Sequence, residues 1–111
     1  MAKSRFILKK SKNARFYFNL LAKNGEIIVT SEMYASKSGA LKGIRSVQVN
    51  ASEDGRYQRL LAKGDKHYFN LTAMNHRVIA SSQRYATKRS CESGITSVKK
   101  NAPAAEIEDL A

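Results

Sequence analysis

The sequence predicts an α+β fold in which one strand–hairpin–helix unit is used twice around a shared core. Three observations carry that prediction. Tyr-Phe-Asn-Leu stands at residues 17–20 and returns at 68–71, and self-similarity at a fixed period marks a repeat architecture. At that offset residues 5–51 align with 56–102 without a gap. Ile28 falls on Ile79, Tyr34-Ala35 on Tyr85-Ala86, Lys37 on Lys88, Gly43-Ile44 on Gly94-Ile95 and Asn50-Ala51 on Asn101-Ala102. Within each copy the apolar spacing changes from a strand period to a helical one. Each half of the 111-residue chain is also too short for a secure core of its own, since a small domain buries only about 60% of its unfolded surface. The reading is one domain, 1–111, made of repeat one (5–51), repeat two (56–102) and an acidic tail (103–111).

In repeat one, Phe6-Ile7-Leu8 with Lys9-Lys10 reads as a short strand. Ser11-Lys12-Asn13-Ala14 follows as a turn, with Asn13 suited to left-handed backbone. Residues 15–23 alternate, with Phe16, Phe18, Leu20 and Ala22 on one face and Tyr17, Asn19, Leu21 and Lys23 on the other. Asn24-Gly25 then signals a two-residue type I′ hairpin. Such a turn sets Lys23 opposite Glu26, Ala22 opposite Ile27 and Leu20 opposite Val29, which assigns Ile27 and Val29 to the core face. The second face, with Tyr17, Asn19, Leu21, Ile28 and Thr30, is mixed. Ser36 is the expected N-cap of a helix. That helix buries Ala40, Gly43, Ile44 and Val47 and turns Lys37, Lys42, Arg45 and Gln48 outward. Gly43 costs about 1 kcal/mol against Ala inside a helix, and its recurrence as Gly94 points to a close approach. Asn50 is the expected left-handed terminator.

In repeat two, residues 56–62 are the first strand and Lys63-Gly64-Asp65-Lys66 is a turn. The hairpin places His67, Phe69, Leu71, Ala73, Val78 and Ala80 on the core face. Its turn reads Asn75-His76, where positive φ is harder to meet. The second helix starts near Thr87 and buries Cys91, Gly94, Ile95 and Val98. Asn101-Ala102-Pro103 stops it. The tail alternates weakly through residues 106–110, and from the residues alone it is read as frayed, with an edge strand as the alternative.

No catalytic signature stands out. His67 and His76 lack ligand spacing and sit where Phe16 and Gly25 stand in the first copy, so they read as a strand-face and a turn residue. Cys91 replaces Ala40 and reads as a small core residue. There is no nucleophile elbow, phosphate-binding loop or dinucleotide fingerprint. These features predict a non-enzymatic protein with no cofactor and no metal. A single cysteine rules out an intrachain disulfide and suggests the cytoplasm. No apolar run approaches a membrane span, and the N-terminal Met1-Ala2-Lys3-Ser4-Arg5 lacks a signal-peptide core.

The charge stands apart: twenty Lys and Arg against nine Asp and Glu, a formal net of +11. Such an excess attracts polyanions, and nucleic acid is the leading candidate. The residues nominated as contacts are Arg15, Lys66, Arg77, Lys88, Arg89, Lys99 and Lys100 for phosphate, with Tyr17 and Tyr68 as stacking platforms. The alternative is a protein–protein interaction module using the mixed hairpin face or a sheet edge.

The Tyr-Phe-Asn-Leu strand, the Asn-Gly turn, Tyr34-Ala35-Ser36-Lys37 and Gly43-Ile44-Arg45-Ser46-Val47 with Asn50-Ala51 resemble the YegP-like family, a small bacterial and archaeal domain of unknown function. The resemblance covers residues 18–51 and again 69–102, with departures at Asn75-His76 and Ser82-Gln83. It implies that two βββα(β) units build one antiparallel sheet with exchanged end strands and two helices packed on one face. It favours a strand in the tail and implies no activity. Because tandem units complete the sheet within one chain, a monomer is expected.

Overall fold

The computed structural model describes residues 3–111; Met1 and Ala2, part of the segment read above as too short for a signal peptide, lie outside the described residues. The elements run β1 (Arg5–Lys10), β2 (Phe16–Leu21), β3 (Ile27–Ser31), α1 (Lys37–Asn50), β4 (Tyr57–Ala62), β5 (Lys66–Thr72), β6 (Val78–Ser82), α2 (Lys88–Asn101) and β7 (Glu106–Asp109). They form one seven-stranded sheet in the order β4-β5-β6-β3-β2-β1-β7. The first six strands read alike from either end, so the repeats are related by a pseudo-twofold axis at the β3–β6 seam. There Val29 faces Ser82 and Ser31 faces Ala80.

Both helices cover the same sheet face and close one core cluster drawn from both repeats. Phe6, Phe18, Leu20 and Val29 meet Phe69, Leu71 and Ala80 beneath Ile44, Val47, Ile95 and Val98. The helical stripes are those the sequence predicts. Ser36 Oγ accepts from the Gly39 N–H at 3.0 Å, and Thr87 Oγ1 from the Ser90 N–H at 3.0 Å, so each helix opens on a side-chain cap. Cys91 is a buried member of the cluster, and burial pushes its thiol pKa up.

The recurrent residues have local reasons. The Tyr34 amide donates to the Phe16 carbonyl at 2.7 Å and the Phe16 amide donates back at 2.8 Å, which pins the start of α1 to β2. The Tyr34 ring stacks on Phe18 and fills the space beneath Gly43, where a Cβ would overlap its hydroxyl. Tyr85 repeats the bridge with His67 and the same packing against Gly94. Ser31 Oγ accepts the Phe18 N–H at 2.9 Å and donates to the Glu32 carbonyl at 2.8 Å; Ser82 does the same for Phe69. A hydroxyl thus supplies a hydrogen-bond partner for a buried strand amide.

Four expectations need correction. The hairpins are not type I′. Gly25 alone has positive φ, at 86°; its amide donates to the Ala22 carbonyl and the Ala22 amide to the Glu26 carbonyl, both at 2.9 Å. This is a three-residue loop closed by a glycine bulge. The register shifts after Leu20, which faces Val29, so Leu21 faces Ile27. Ile28 therefore enters the core while Ile27 is 42% exposed. The second hairpin follows suit, with His76 at φ 69° and Ile79 buried in the place given to Val78. Secondly, Asn50 is not a left-handed cap. Ala51 closes α1 in right-handed geometry, while the Asn50 amide donates to the Ser46 carbonyl at 2.8 Å. Thirdly, the left-handed residue of the first turn is Ala14, not Asn13.

The tail supplies the fourth correction. It is not frayed: β7 pairs with β1, and this pairing is parallel where an antiparallel sheet was expected. A crossover through a helix is the connection that parallel pairing requires. The turn at residues 102–104, with Pro103, ends α2 and delivers β7 to the far repeat. There the Leu110 amide donates to the Leu8 carbonyl at 2.9 Å. Arg5 meets Glu108 at 3.2 Å and Lys37 meets Asp109 at 3.0 Å.

Gly43→Ala is expected to lower stability by about 1–3 kcal/mol by overpacking, despite its helix propensity. Tyr34→Phe, by removing the hydroxyl, should recover part of that loss in the double variant; urea titrations of the three variants check both. His76→Gly should stabilise by about 0.5–1 kcal/mol by relieving left-handed strain, and Gly25→Ala should do the reverse.

Candidate nucleic-acid interface

The sheet face away from the helices follows from strand alternation. Its centre is a row of side chains set by register: Gln58 beside Asn70, Asn70 beside Ser81, Ser81 beside Thr30, and Thr30 beside Asn19. The Ser81 hydroxyl donates to Asn70 Oδ1 at 2.6 Å, and the Asn70 amide donates to Gln58 Oε1 at 3.4 Å. In the first repeat Ile7 takes the place of Gln58, and the buried Asn19 Oδ1 has no donor.

Tyr17 and Tyr68 stand on this face, partly buried, two residues from the polar row and at opposite ends of it. Strand spacing puts them about 20 Å apart along a diagonal. Lys9 is registered beside Tyr17, and Arg15 precedes β2. The Arg84 guanidinium lies over the Tyr68 ring at 5.7 Å, a cation–π contact, and Lys66 opens β5. Each tyrosine thus has cations nearby.

The other nominated residues lie elsewhere. Arg77, in the β5–β6 loop, lines a depression with Glu32 and Lys42. Lys88 and Arg89 begin α2, and Lys99 and Lys100 end it, on the opposite side of the molecule. Lys99 is already engaged, donating to Asp54 at 2.7 Å and lying over Tyr57. Arg15 stands two residues before Tyr17, at the entrance to β2, and Lys66 two residues before Tyr68 in β5, whereas the α2 cations lie on another element. Lys9 and Arg84 were missed. The β1–β2 register could have found Lys9; nothing in the sequence places Arg84 over Tyr68.

Four cations, Arg5, Lys37, Arg59 and Lys99, are ion-paired among the described residues, leaving sixteen of the twenty without an acid partner. The densest pairing links β4 to α2. Arg59 Nε donates to Glu92 at 2.6 Å and Nη2 to Asp54 at 3.0 Å. Lys99 and Arg59 hold the Asp54 carboxyl below its ordinary value, and Arg59 does the same for Glu92. No group of three or more metal-ligating side chains occurs among the described residues, and no helix is long and apolar enough to cross a membrane.

The architecture and this face define a duplicated small α+β module with a helix-covered and an open sheet face. The chain belongs to the family described as Domain of unknown function (DUF1508), which matches twice, at residues 11–58 and 62–109. It is 52% identical to a UPF0339 protein of Acinetobacter baylyi, across 93% of both chains. It is 50% identical to UPF0339 protein YegP of Escherichia coli, across 94% of both. The solution NMR structure of YegP from E. coli superposes with a TM-score of 0.93 at 47% identity, covering 99% of this chain and 95% of that one. That of the UPF0339 protein SO3888 from Shewanella oneidensis gives 0.92 at 47%, covering 97% and 92%.

The depressed carboxylates set a pH dependence. Their stabilisation is full above the unfolded values, 3.8 for Asp54 and 4.5 for Glu92, and is lost as pH falls through the lower folded values. Thermal melts should therefore show Tm falling below about pH 4, and Arg59→Gln should flatten that slope while lowering Tm slightly at neutral pH.

Proposed function

We propose that this chain is a non-enzymatic binding module that holds single-stranded nucleic acid across the open face of its sheet. The observation that carries the reading is the diagonal pair Tyr17 and Tyr68, each with unpaired cations beside it, on a face no helix covers. Aromatic rings on an exposed sheet are stacking platforms for splayed bases, worth about 1–3 kcal/mol per base. Arg15 and Lys9 serve phosphates at one end of the diagonal, and Lys66 and Arg84 at the other. Lys88, Arg89 and Lys100 on the helical side add to the field that draws a polyanion in. The buried Cys91 thiol suits a reducing, cytoplasmic compartment, and a core shared by both repeats within one chain suits a monomer.

A second reading, protein interaction by strand addition, is favoured by one observation: β4 ends the sheet, and among the described residues nothing pairs with its outer edge.

Titration of a short oligothymidylate at low salt is the test. Amide shifts should centre on Tyr17, Tyr68 and the strands carrying them. With about four phosphates held, log affinity should fall against log salt with a slope of roughly −3. Tyr17→Ala with Tyr68→Ala should weaken binding by about tenfold or more. Shifts confined to α2, or no binding at low salt, would refute the reading.

A further inference from the structure

We infer that the outer edge of β4 accepts an acidic, extended segment of a partner protein as a parallel strand, in the way β1 accepts β7. The inference rests on the second reading above and names its partner.

The repeat shows why this edge is open. The second family copy ends at residue 109, in β7, and the first ends at residue 58, inside β4. The counterpart of β7 is therefore residues 55–58, which form the turn into β4 and its first two residues instead of a separate strand. Among the described residues no strand covers the outer side of β4.

Covered and uncovered edges can be compared position by position. On β1, beneath β7, Ile7 is 4% and Leu8 0% exposed. Their counterparts on β4, Gln58 and Arg59, are exposed, and beyond them Leu61 is 61% exposed. The Leu8 carbonyl accepts from the Leu110 amide, so the repeat turns the Arg59 carbonyl to the matching open side. Proteins commonly guard such edges with charge or proline. The one charge on β4, Arg59, is drawn onto Glu92 and Asp54 instead.

The chemistry of the missing strand follows from the one that is present. Asp109 meets Lys37 and Glu108 meets Arg5. The counterpart of Lys37 is Lys88, which forms no salt bridge among the described residues and lines a groove of about 280 Å³ with Leu61, His67 and Glu92, whose carboxylate is engaged by Arg59. The counterpart of Arg5 is Arg56, whose Nε donates to Asn50 Oδ1 at 3.0 Å and which also meets no carboxylate. A strand carrying adjacent carboxylates after an apolar residue, like Ile107-Glu108-Asp109, would meet both cations. Its backbone would pair with β4, the source of affinity in strand addition.

The test uses the isotope-labelled full chain and two synthetic peptides. One is Ala-Ala-Glu-Ile-Glu-Asp-Leu-Ala; the other has every acid replaced by its amide. The acidic peptide should shift the amides of residues 57–62 and of Lys88, and slow hydrogen exchange at Arg59 and Leu61. Lys88→Gln should weaken it roughly two- to fivefold, whereas Lys42→Gln, with the same change in net charge, should not. Equal binding of the amide peptide at β4 would sink the acidic partner while leaving strand addition standing. No protection of β4 by either peptide would sink both. Displacement of β7 from β1, or self-association of the chain through β4, would also overturn the inference.

Discussion

The structure depends on a tyrosine ring lodged between sheet and helix, used twice. Tyr34 ties its backbone to Phe16, stacks on Phe18 and brings its hydroxyl to the one helical position with no side chain, Gly43. These three contacts fix the helix start, its height above the sheet and its rotation. Ser36 can cap α1 because Tyr34 has already ended the strand path two residues earlier. The helix accepts glycine's propensity cost of about 1 kcal/mol because any larger residue would lift it off Phe18. Tyr85, Gly94 and Phe69 repeat the arrangement, and so the offset between the two copies carries no gap in this region.

Most of the fold was legible because it rests on such local rules. The stripes at Ala40, Gly43, Ile44 and Val47 and at Cys91, Gly94, Ile95 and Val98 needed only helical spacing. Errors arose where two local geometries share one signature. Asn24-Gly25 fits both a two-residue loop and a three-residue loop with a bulge, and only the latter carries Ile28 into the core. Side-chain alternation cannot separate them, since the bulge itself shifts the count. Asn50 misled in a similar way: its side chain bonds back to Ser46 within the helix, so it needs no left-handed backbone. The tail was half legible: its weak alternation allowed the edge strand that forms, but not the strand it pairs with. Its pairing is with β1, at the far end of the chain, and no local pattern in residues 106–110 encodes a partner so distant.

The candidate site was half legible. Alternation alone put Tyr17 and Tyr68 on the face opposite the core, and the structure keeps them there. Charge was less informative, because a count of cations says nothing about where they gather. The helix α2 cations looked like a cluster in sequence, yet Lys99 neutralises Asp54 and its neighbours face away from the tyrosines. Arg84 joins Tyr68 only through the path of the chain after β6. Residues that act through tertiary neighbours leave no spacing to read.

Duplication explains both the strength and the asymmetry of this architecture. Fusing two units gives one core from halves that are each too small, and it makes the β3–β6 seam an internal contact. Fusion also consumes a strand. A unit that must both receive and donate an end strand can do so reciprocally only if each copy has a free C-terminus. In a tandem chain the first copy's C-terminus is the second copy's beginning, so one donation is lost and one edge stays open. Among the described residues β7 is committed to β1, and no other strand reaches the outer side of β4. The open edge of β4 is thus a topological consequence of the fusion, and the exposed Leu61 and unpaired Lys88 beside it are the chemistry that the fusion leaves facing solvent.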